Sequence, residues 1–81
     1  MEDAQIAHIL EELDTTERYI SVAKEYVAHQ RARIAMGRVG PFSTELLRAF
    51  EDALCSFRSH RDMLKHELSL KARERRSELM W

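Results

Sequence analysis

The stretch GRVGPFSTELL, residues 37–47, decides the fold, because it holds both glycines and the only proline of an otherwise helix-forming chain. Gly37 or Gly40 is suited to the left-handed conformation that ends a helix. Pro41 prevents continuation, because it lacks a backbone N–H and pushes its neighbour towards extended geometry. Ser43 is placed to cap a new helix, with Glu45 in its first turn facing the positive helix end. Phe42 and Leu47 then have the spacing of a hydrophobic staple. Stop, turn and start signals within one short segment predict two antiparallel helices that pack on each other.

Upstream, Ile6, Leu13, Ile20, Val27 and Ile34 recur every seven residues, with Ile9, Thr16, Ala23 and Gln30 between them. This is an a/d heptad pattern, and its 3.5-residue period excludes a strand. Downstream, Leu47, Phe50, Leu54, Phe57, Leu64 and Leu68 keep the same spacing, with Arg61 interrupting at an a position. Beyond Leu70 the apolar stripe is thin and fraying is expected. The predicted organisation is one helical-hairpin domain over residues 1–81. It has a helix over about 3–36, a turn over 37–43 and a helix over about 44–77.

The register predicts which residues meet. Ile34 faces Leu47, Val27 faces Leu54, Ile20 faces Arg61 and Leu13 faces Leu68 at a positions. At d positions Gln30 faces Phe50, Ala23 faces Phe57 and Thr16 faces Leu64. Both phenylalanines thus meet small or flexible partners, as close packing asks. Arg61 is expected to snorkel towards Glu17 or Tyr19, or to act as a register-fixing polar layer.

Charge follows the same plan. Residues 1–28 carry seven acids and two bases, and residues 57–81 carry seven bases and four acids. A hairpin lays these segments side by side and also suits both helix dipoles. The formal net charge of -1 calls for neither nucleic acid nor an anionic membrane. No apolar run approaches the roughly 18 residues of a membrane span. The acidic, amphipathic start MEDAQIAHILEELD lacks the pattern of a secretory signal. The single cysteine, Cys55, suits a reducing compartment. A soluble cytoplasmic protein is expected.

Two helices share one seam, and a core of that size barely offsets an ordering cost of ~1.5 kcal/mol per residue. The flank at the e positions is charged and predicts the pairs Glu17–Lys65 and Arg31–Glu51. The flank at the g positions carries Tyr19, Tyr26, Leu46, Ala53 and His60, with Tyr26 expected near Ala53 and Tyr19 near His60. Amphipathic aromatic groups are common at interfaces. These five residues are the predicted interface of a homodimer, a four-helix bundle made of two hairpins.

Catalytic and metal chemistry have little to stand on. No two of His8, His29, His60 and His66 lie four apart, and His8 with Glu12, His29 with Glu25 and His66 with Asp62 are isolated weak pairs that lie far apart in the hairpin. Cys55 lies beside the seam without a specific activating partner. There is no glycine-rich phosphate loop, and no cofactor, metal site or enzymatic activity is expected.

The segment ERYISVAKEYVAHQRARI and, after the turn, LLRAFEDALCSFRSHRDMLKHEL resemble small uncharacterised helical-hairpin proteins of soil alphaproteobacteria. The likeness covers roughly residues 16–68 and implies a hairpin fold with no catalytic residues. The leading expectation is a non-enzymatic interaction or adaptor module whose partners are a second copy of itself and another protein. The alternative is a small RNA- or DNA-binding regulator. Candidate partner-binding residues are Arg31, Arg33 and Arg38 near the turn, and Arg73, Arg75, Arg76 and Trp81 in the C-terminal tail.

Overall fold

The computed structural model describes residues 4–79, with side-chain surroundings described up to residue 77. Two helices, α1 (Ala4–Ala35) and α2 (Ser43–Leu79), account for nearly all of it. They pack along their length into a rod of 64 × 15 × 14 Å. Partners rise in α2 as they descend in α1, from Gln30–Ser43 to Tyr26–Phe50, Tyr19–Phe57 and Glu12–His60, so the helices run antiparallel.

The seam follows the heptad. In α1 the buried residues are Ile9, Thr16, Ile20, Ala23, Val27 and Gln30, all at a or d positions. Ile6, Leu13 and Ile34 are half-buried. In α2, Leu54 and Leu64 are buried, and Leu47, Phe50 and Phe57 pack against the cluster of Ile20, Ala23, Val27 and Leu54. Phe57 therefore packs against the cluster that includes the small Ala23. No large side chain becomes fully buried among the described residues, which is what a single seam allows.

The turn is built from two consecutive devices. Gly37 has φ +78°, its N–H donates to the Ile34 carbonyl at 3.0 Å, and the Arg38 N–H donates to the Arg33 carbonyl at 2.9 Å. This is a Schellman ending, which satisfies carbonyls that the helix leaves open. Residues 40–43 then form a β-turn, closed by the Ser43 N–H on the Gly40 carbonyl at 3.3 Å. Pro41 takes its second position, where a fixed φ is pre-organised, and the negative φ of Phe42 excludes a type II turn.

Here the structure corrects the expected cap. The Leu46 N–H donates to the Phe42 carbonyl at 2.8 Å, so the first helical bond starts at Phe42. The β-turn aims the Ser43 hydroxyl backwards, and its Oγ accepts from the Gly40 N–H at 2.6 Å. Phe42 is thereby carried outwards and stays 69% exposed, so the expected staple covers little of it. The closed end is pinned instead by Gln30, a buried residue whose Nε2 donates to the Ser43 carbonyl at 3.0 Å. No buried side-chain nitrogen or oxygen lacks a partner among the described residues.

α2 continues to Leu79, against an expected end at about residue 77. Lys, Arg, Glu and Ala are strong helix formers, and Lys71 and Ala72 remain half-buried against α1.

Candidate interaction surface

The two flanks of the seam have opposite chemistry. On one, Arg31 and Glu51 meet across e positions at 2.7 Å, the pair expected from the register. On the other, the ring of Tyr19 lies 5.4 Å from that of Phe57, and the ring of Tyr26 lies 5.2 Å from that of Phe50. Sequence spacing expects these tyrosines opposite His60 and Ala53. The rings lie instead over the phenylalanines at d positions, which offer flat apolar faces for offset stacking. His60 is left to approach Glu12, Nε2 to Oε1 at 4.0 Å, and His8 reaches the other oxygen of Glu12 at 3.4 Å.

Stacking on the seam leaves much of each tyrosine outside it. Tyr19 is 52% exposed and Tyr26 54%. Leu46 on α2 is exposed as well, Ala53 is half-buried and His60 is exposed. The neighbouring c positions widen this surface with Val22, Met63 and Leu70, all exposed. Sequence spacing marks the flank at the g positions, and the heptad wheel, on which c adjoins g, extends it to these residues.

Charge is absent from the middle of this face. Over residues 15–29 and 46–63 the g and c positions hold Thr15, Tyr19, Val22, Tyr26 and His29 on α1 and Leu46, Ala49, Ala53, Ser56, His60 and Met63 on α2. None is Asp, Glu, Lys or Arg. Over the same span the e and b positions include Glu17, Lys24, Arg48, Glu51, Arg58 and Asp62. One side of the rod is thus dry and aromatic, and the other is a solvated charged face. Formal charge returns to the dry face only at its ends, with Arg33 near the turn and Glu12 and Glu67 near the open end.

The basic candidates do not form one patch. Arg31 is engaged with Glu51 on the charged flank, Arg33 occupies a g position on the opposite flank, and Arg38 lies in the turn. Arg73, Arg75 and Arg76 are exposed on the last turns of α2. Trp81 lies outside the described residues, as does Met80. Arg61 corrects the expectation of a link to Glu17 or Tyr19: its Nε lies 3.0 Å from Oδ1 of the adjacent Asp62, and its side chain is 26% exposed. A half-buried a position lets the aliphatic stem cover the seam while the head turns to the nearest carboxylate.

Cys55 is exposed and free. No three His, Cys, Asp or Glu side chains converge to hold a metal among the described residues. The hollows along the rod are open grooves between side chains, one of them lined by His8, Glu12, Tyr19, Phe57 and His60. Among the described residues no helix is long and apolar enough to cross a membrane. The class the structure defines is an all-α, two-helix antiparallel hairpin. No protein-family model, curated protein or solved structure matches the chain.

Proposed function

We propose that this hairpin is a non-enzymatic protein–protein interaction module that works as a homodimer, two hairpins forming a four-helix bundle. The observation that carries the reading is the uncharged aromatic face centred on Tyr19 and Tyr26, each about half exposed although its ring packs against a core phenylalanine. Contiguous exposed apolar surface on a small protein marks an interaction site. A second copy supplies the second layer that a one-seam core lacks. The charged face and the basic end of α2 remain outside such a dimer and are the surfaces open to a further protein partner. The exposed, unpaired Cys55 supports action in a reducing compartment such as the cytoplasm.

Thermal melting over a hundredfold range of chain concentration tests this. Association stabilises the folded state by mass action, so a dimer melts at higher temperature as concentration rises. A melting temperature independent of concentration contradicts the reading. Capture of partners from lysate with and without nuclease addresses the charged face: loss of capture on nuclease treatment, with steep salt dependence, identifies a nucleic acid instead.

A further inference from the structure

Resting on the dimeric reading, we propose that the two copies pack dry face to dry face with their turns at opposite ends, Arg33 of each copy meeting Glu12 of the other. The g positions of α1 carry Glu12, Tyr19, Tyr26 and Arg33 at even spacing. A two-fold axis midway between Tyr19 and Tyr26 therefore serves both pairs at once. It sets Tyr26 against Tyr19 of the second copy, and Arg33 against Glu12 of the second copy. In this arrangement α1 lies antiparallel on α1 of the second copy. Flanking g positions are where antiparallel helices exchange ion pairs that fix orientation.

The other helix agrees. The antiparallel contacts of the hairpin put Ala53 level with the same axis. Ala49, Ala53 and Ser56 are small, so α2 of each copy approaches closely there. Phe42, 69% exposed at the turn, comes level with Met63 of the second copy, itself 68% exposed. Overlap runs over about 30 residues of α1, about 45 Å at 1.5 Å per residue. Across a rod 15 Å wide this is about 700 Å², close to the roughly 800 Å² per partner of a stable interface.

The alternative orientation, with both turns at one end, is opposed by charge. It lays α1 on α2 of the second copy and brings Glu12 within about one turn of Glu67 there, at a level between His60 and Glu67. Arg33 then meets Leu46 and has no acid within reach on that face. Like charges in register are the usual means by which an unwanted orientation is excluded.

Spin labels distinguish the arrangements. A single label at Arg38→Cys in a Cys55→Ser background sits in the turn, outside the proposed contact. Turns at opposite ends give a label-to-label distance of about 45 Å at the helical rise of 1.5 Å per residue. Turns at one end place the labels about 10–20 Å apart, near the spacing of packed helices. The long distance supports the proposal. The short distance overturns it while leaving the dimeric reading intact, and a monomeric mass for the labelled chain overturns both. Arg33→Glu should weaken self-association about tenfold, and Arg33→Glu combined with Glu12→Arg should restore it. An unchanged dimer in the single variant, or no recovery in the double, contradicts the Arg33–Glu12 contact.

Discussion

Tyr26 stacks on Phe50 across the seam, centroids 5.2 Å apart and planes 20° from parallel, yet remains 54% exposed. One face of the phenol completes the hairpin's core and the rest is turned outwards. Two turns away Tyr19 packs against Phe57 in a tilted arrangement, centroids 5.4 Å apart and planes at 36°. The pair therefore joins the inner packing to the outer surface, and substitutions there should separate folding from association.

Replacing both Tyr19 and Tyr26 with Ala should abolish self-association at micromolar concentration while most helicity persists at low temperature. Circular dichroism with sedimentation velocity reads the two effects separately. Full retention of the dimer contradicts the assigned interface.

Phe57 packs half-buried against the core cluster that includes Ala23, and heptad spacing predicts that the two share a layer. Phe57→Ala should cost about 2–3 kcal/mol, towards the low end for a phenylalanine because the site is partly open. Ala23→Phe should overpack the same layer and cost about 1–3 kcal/mol. Urea denaturation of both variants checks this, and unchanged midpoints contradict the register.

Gly37 and Gly40 should respond differently to alanine. Gly37 has φ +78°, and an added Cβ meets no atom within 4 Å, so the cost is backbone strain alone, about 1–2 kcal/mol. Gly40 lies outside the left-handed region, and its added Cβ would sit 3.8 Å from Ser43 Oγ, an ordinary contact. Gly40→Ala should be neutral or stabilise by up to about 1 kcal/mol through the unfolded chain. Equal effects on the melting temperature would contradict the assignment of the helix stop to Gly37.

Arg31 and Glu51 close at 2.7 Å but both side chains are well hydrated, 63% and 41% exposed. Arg31→Ala should change stability by no more than about 0.5 kcal/mol, and less in 0.5 M salt. A larger loss in chemical denaturation would mean that this flank is covered in the assembled protein.

Heptad spacing made the seam legible, because burial of one apolar stripe per helix depends on period and hardly on detail. Each a and d position from Ile6 to Ile34 is buried or half-buried, and so is each from Leu47 to Leu68. The Arg31–Glu51 pair was legible for the same reason. What sequence spacing missed depends on local geometry. The hydroxyl of Ser43 points backwards because a β-turn precedes it, and Phe42 is exposed by that turn. The tyrosines settle on Phe50 and Phe57 because ring faces attract more strongly than the small Ala53 or the polar His60. Arg61 chooses Asp62 because the nearest carboxylate is one residue away. For the candidate surface, the g positions marked its centre, and the c-position residues Val22, Met63 and Leu70 required the helix wheel to be read one step further round.

Sedimentation equilibrium of the unlabelled wild-type chain over the micromolar range tests the central claim most directly. The dimeric hairpin predicts a mass of about 19 kDa, twice the 9.5 kDa of the chain, falling towards the single-chain value only on dilution or on loss of Tyr19 and Tyr26. A constant 9.5 kDa species that nevertheless unfolds cooperatively would show that one seam suffices, and would contradict the dimer.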